Sequence, residues 1–179
     1  MTFTIEDGGI TLEITKQILI TLFSYPLSHG TVTRRDISTV LFICSNLFND
    51  HTEIFDIFPD GVESEKINLY VDYLLVKGLV DVEEGKVSIT ENGKQYAQNI
   101  LTNPDNRIYR ILFRVSREIW LLSREIRTSL ALYLYFKTFN SNIRGFAKIR
   151  NLYRELKDYV SVFLEKEEKP VQKRKVDGK

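Results

Sequence analysis

The chain has one cysteine among 179 residues, Cys44. A lone thiol excludes an internal disulfide framework and a multi-cysteine zinc site. It lies in the apolar run Leu41-Phe42-Ile43-Cys44, where a thiol serves as a small buried hydrophobe. Histidine is almost as scarce. His29 and His51 stand far apart in expected loops, as surface residues. No P-loop, dinucleotide fingerprint, zinc-ligand spacing or nucleophile elbow occurs. The adjacent carboxylates Glu83-Glu84 fall on a turn open to water, without the burial that tunes a catalytic acid. A protein that is not an enzyme is expected, with no cofactor and no metal. Long apolar runs are missing too. The longest uncharged run, Gln17 to Thr33, contains Ser24, Pro26, Ser28 and His29, and is too short and too polar to span a membrane. The N-terminus, MTFTIEDGG, lacks the basic region and apolar core of a signal peptide. The expectation is a soluble cytoplasmic protein without membrane contact.

Hydrophobic residues make up 43% of the chain, ordinary for a protein with a packed core. The net charge of +1 hides an asymmetry. Residues 1–106 carry 7 Lys+Arg against 16 Asp+Glu, and residues 107–154 carry 11 against 2. Nine of those eleven bases are arginine. Six of them, Arg107, Arg110, Arg114, Arg117, Arg124 and Arg127, recur at helical spacing and share one broad face. The other face carries Ile108, Ile111, Leu112, Val115, Ile119, Leu122 and Ile126. Arg114 with Glu118 is the one good i,i+4 counter-charge. Such a stripe is a solvated face, an interface with the acidic half of this or a second chain, or a phosphate-binding surface.

Changes of period organise the rest. Residues 2–14 alternate apolar side chains around Asp7-Gly8-Gly9, as a small hairpin, unless Thr11 caps a first helix. A helix over about 12–24 buries Ile14, Ile18, Leu19, Leu22 and Phe23 and is ended by Pro26. After a short extended link, Thr33 with Asp36 opens a second helix through Phe48, whose buried face is Ile37, Val40, Leu41, Cys44 and Phe48. Residues 49–61 read as a loop, and a third helix begins at Glu63-Ser64, burying Ile67, Tyr70, Val71, Leu74 and Leu75. It stops at Lys77-Gly78, where glycine caps the end. Strands Leu79–Val82 and Lys86–Ile89 follow, joined by Glu83-Glu84-Gly85, and Thr90 starts a fourth helix.

The phrases LLVKGLV (74–80) and SITENGKQYA (88–97) resemble those of winged-helix regulators of the PadR and MarR type. The segment IFPDGVES (57–64), with the long second helix, is more weakly similar to the Panacea-type antitoxin module. The resemblance implies a mainly α fold with a small β-wing, a winged helix-turn-helix over residues 1–102. In that fold the third helix enters the major groove and the wing touches the backbone. The candidate contacts are then Ser64, Lys66, Asn68 and Asp72 as readers, with Arg34, Arg35 and Lys86 on phosphate, joined by the six arginines of the basic stripe. Charge runs against this, because residues 63–86 hold three lysines against six acids.

After Pro104 the basic helix spans about 105–127 and runs on into 128–139, and a last helix covers about 143–165 past a turn at Asn140-Ser141-Asn142. Residues 103–165 thus form a basic helical arm. Its apolar faces need covering, which points to a homodimer. Trp120, Tyr133, Tyr135 and Phe136 belong to core or interface. The charged tail 166–179 is expected to be disordered. Two functions follow: a transcriptional regulator that binds DNA, or a protein-interaction module of antitoxin or assembly type that uses the winged helix and the arginine helix on an acidic protein surface.

Overall fold

The structure, a computed structural model, describes residues 13–26, 31–49, 55–139 and 147–168. The hairpin proposed for residues 2–14, both histidines, the turn at 140–142 and all but the first residues of the tail lie outside them. Helix α1 (Ile14–Phe23) is buried almost all round, with Ile18, Leu19 and Ile20 fully enclosed. It closes at Ser24, whose amide donates to the Ile20 carbonyl at 2.9 Å, just before Pro26. Phe23, expected in the core, is half-buried against Phe113.

Strand β1 (Val32–Thr33) leads directly into α2 (Arg34–Phe48). The Thr33–Asp36 capping box forms, each side chain accepting from the other residue's amide at 3.1 Å. The expected buried face of α2 is buried throughout. Cys44 sits in it 3.6 Å from the Ser116 hydroxyl, and burial pushes its thiol up to about 12. The thiol is therefore protonated and enclosed at neutral pH. A disulfide reagent should leave it unmodified in the native protein and modify it on addition of denaturant. Rapid native labelling would show that α2 opens.

Residues expected as a loop contain a hairpin, which corrects that reading. Strand β2 (Asp56–Phe58) pairs antiparallel with β3 (Gly61–Glu63). The Val62 amide donates to Thr39 Oγ1 at 3.0 Å, fastening the hairpin to α2. Three-residue strands leave too short an alternation to recognise from the sequence. Helix α3 (Glu65–Val76) follows its buried N-cap Ser64. At its end Gly78, at φ +67°, lets the Leu79 amide donate to the Leu74 carbonyl and the Gly78 amide to that of Leu75, a paired closure that turns the chain into a strand. Strand β4 (Val80–Glu83) then pairs with β5 (Lys86–Ile89), and the turn is the two residues Glu84 and Gly85, both at positive φ. The three-stranded sheet has the order β1–β5–β4. Helix α4 (Glu91–Thr102) begins at Thr90, whose hydroxyl donates to the Gly78 carbonyl at 2.8 Å and accepts from the Gly93 amide at 3.0 Å.

The basic segment is two helices rather than one. After a 3-10 turn (Pro104–Asn106), α5 (Arg107–Leu121) ends at an extended Leu122, and α6 (Arg124–Phe139) begins anew. Ser123 accepts from the Ile126 amide at 3.3 Å, and Glu125 supplies an acid in the first turn. That N-cap phrase stood in the sequence and outweighed the helical periodicity. Helix α7 (Ala147–Glu168) is the last element among the described residues.

Residues 14–102 and the segment set apart as an arm share one buried core. Trp120 donates its indole N–H to the Thr21 carbonyl at 2.9 Å, and α6 packs on α2, β3 and α7. Leu130, Ala131, Tyr133, Leu134, Tyr153, Leu156 and Val160 are all buried within the single chain. Covering these faces therefore does not require a second copy, contrary to the argument for a dimer from the arm. The result is a mainly helical fold with two small antiparallel sheets among the described residues. No helix of these residues is long and apolar enough to cross a membrane.

Candidate functional site

Two arginines at the start of a helix stand against its positive dipole end. Arg34 and Arg35 are held there by acids from elsewhere in the chain. Arg34 pairs with Asp72 of α3 and donates to the Asn68 carbonyl at 3.0 Å. Arg35 donates to Asp60 at 2.5 Å and to Glu63 at 2.9 Å, and its guanidinium lies 4.7 Å from the centre of the Phe58 ring. The hydrogen bonds from these guanidiniums hold the Asp60 and Asp72 carboxyls below the usual carboxylate range. Arg34 and Arg35, both expected on phosphate, thus clamp α2 to the β2–β3 hairpin and to α3.

The expected readers are occupied in the same way. Ser64 is buried and caps α3 through the Ile67 amide at 3.4 Å. Asn68 donates its side-chain amide N–H to Glu63 at 3.2 Å, while its side-chain oxygen, Oδ1, is buried without a hydrogen-bond partner among the described residues. Lys66 is exposed, though it too has a contact within the chain. Lys86 is exposed on the wing, across from Glu83.

The arginine stripe is divided by the break at residues 122 and 123. On α5, Arg107 donates to the Leu164 carbonyl at 2.6 Å and Arg110 to that of Asn103 at 2.8 Å. Arg114 lies over the Phe163 ring at 4.9 Å instead of pairing with Glu118. Arg117 joins Lys94 in lining a cleft walled by Phe23, Ile89 and Phe113. On α6, Arg124 reaches Asp36 at 3.4 Å and Arg127 reaches it at 3.8 Å. Arg127 also lies over the Trp120 ring and donates to the carbonyls of Leu122 at 2.7 Å and Trp120 at 3.2 Å. Most of the candidate residues therefore fall into separate local networks. Arg34, Arg35, Arg124 and Arg127 all meet acids of the N-terminal half.

Helix α3 presents something the sequence reading missed. Ile67, Val71 and Leu74 line its buried side, but Leu75, expected with them, is exposed. A second apolar set, Leu69, Tyr73 and Val76, repeats at i, i+4 and i+7 on the other side. These residues are 62%, 49% and 84% exposed. Asp72 is the acid between them, already paired with Arg34. The second apolar face of this helix is legible in the sequence as a repeat at helical spacing outside the buried set.

The chain matches no family model, no curated protein and no solved structure.

Proposed function

We propose that this chain is a winged-helix protein-interaction module, with the outward face of α3 as its binding surface. The strand order β1–β5–β4 among α1, α2 and α3 supports a winged-helix arrangement. The observation that carries the binding role is the exposed stripe Leu69, Tyr73 and Val76, where a DNA reader would hold polar and basic side chains. The exposed wing adds Asp81, Glu83 and Glu84, which repel phosphate. Aromatic and aliphatic side chains projecting together from a rigid helix are the usual anchors of a protein interface.

Binding of DNA in transcriptional regulation is the second reading. It draws on Arg114, Arg117 and Lys86, which are exposed and have no carboxylate within 4.0 Å among the described residues.

A photo-crosslinking residue at position 69, introduced in the cell of origin, separates the two. Adducts at Leu69 should be protein, and the same probe at exposed Gln95 should give none in common with them. Nucleic-acid adducts at Leu69 would overturn the protein-binding reading. So would binding of a mixed-sequence duplex at about 50 mM salt that is lost in Lys66→Ala with Asn68→Ala.

A further inference from the structure

We propose that the partner seated on α3 is a second copy of this chain, with the two α3 helices packed antiparallel about a two-fold axis. This rests on the protein-binding reading above and names its occupant.

The stripe is self-complementary under such an axis. At 1.5 Å per residue, Glu65 and Lys77 stand about 18 Å apart at opposite ends of the exposed face. Glu65 is exposed and has no cation within 4.0 Å among the described residues. Lys77 is exposed, with its ammonium 5.4 Å from the centre of the Tyr73 ring and therefore beside the stripe. In an isologous antiparallel pair each contact occurs twice. The register that sets Glu65 opposite Lys77 of the other copy also sets Leu69 opposite Tyr73 and Lys66 opposite Val76. An ion pair then closes each end, Leu69 packs on Tyr73 at the centre, and the Lys66 stem covers Val76.

The central charge is already dealt with. Asp72 would otherwise bring two carboxylates towards the axis, but Arg34 of its own chain neutralises it. One helix face on each copy makes a small interface, so the dimer should be weak and reversible. Such a pairing also covers the helix that the winged-helix reading places in the major groove.

Sedimentation of the full chain across a micromolar concentration series is the direct test, with melting curves confirming that every variant is folded. The wild type should pass from monomer to dimer. Tyr73→Glu should raise the dissociation constant at least about tenfold, as loss of a central anchor does. Glu65→Lys and Lys77→Glu should each weaken the dimer, and the two together should restore it, because the swapped pair is again complementary. A wild type that stays monomeric throughout overturns the proposal. So does a dimer that ignores Tyr73→Glu, or one for which the double swap fails to recover the single losses. A monomeric wild type whose Leu69 probe captures a different protein sinks the second-copy assignment and leaves the protein-binding reading standing. Nucleic acid captured at Leu69 sinks both.

Discussion

Gly93→Ala should destabilise the protein by about 3 kcal/mol or more, at the upper end of what overpacking costs. In a chain of this length that corresponds to a melting temperature lower by roughly 6–12 °C. A Cβ built at position 93 would stand 2.0 Å from the Leu79 carbonyl oxygen and 2.8 Å from the Ile89 side chain. The carbonyl cannot turn aside cheaply, since it accepts from the Thr90 amide at 3.2 Å and so holds the start of α4 against the end of α3. Intrinsic propensity argues the other way, because alanine in a helix is favoured over glycine by about 1 kcal/mol. The sign of the measured change therefore decides between close packing and propensity. Urea denaturation of the two proteins would read it. A stabilised Gly93→Ala would mean that α4 does not sit so close to the entry of β4.

The second large effect is expected at Arg127. Its side chain is only 12% exposed, and burial lowers its pKa from the ordinary arginine value, against the raising influence of Asp36. Replacing it with alanine removes the donor for the carbonyls at the end of α5 and the cation over the Trp120 ring. Leaving such carbonyls without a donor costs about 1–3 kcal/mol, and the lost packing on the indole adds to it. Arg127→Ala should thus cost about 3 kcal/mol in total. Arg127→Lys should recover only part of it, since an ammonium lacks the fork that spans two carbonyls. Fluorescence of Trp120, the single tryptophan, should shift in the native state of the variant. Arg114→Ala, on an exposed position of α5 over the Phe163 ring, should cost no more than about 1 kcal/mol. Equal losses at the two sites would mean that Arg127 has no special place at the break between α5 and α6.

Local chemistry made much of the fold legible. Gly78, Gly85 and Thr90 punctuate the segment from α3 to α4, and each acts within a few residues of itself, so the turn, strand and cap could be read in order. The capping box of Thr33 and Asp36 and the buried face of α2 were readable for the same reason. The misses also have local causes. The Ser123 cap competed with an unbroken helical period, and the β2–β3 strands are too short to show alternation.

The fate of the charges was a different matter. Arg35 and Asp60 are 25 residues apart, and Arg34 and Asp72 are 38 apart. An arginine looks the same in the sequence whether it will meet phosphate, a ring or a carboxylate. Its partner is fixed only when distant elements pack and their desolvated charges find one another. The same packing turned the apolar faces of α6 and α7 inward and left Leu69, Tyr73 and Val76 outside. The sequence by itself determined most of the elements and the phase of most of their apolar faces, because these depend on neighbours within a turn or two. Tertiary structure alone decided which arginines were taken up inside the chain and which face of α3 was left exposed, because both depend on contacts made across the whole fold.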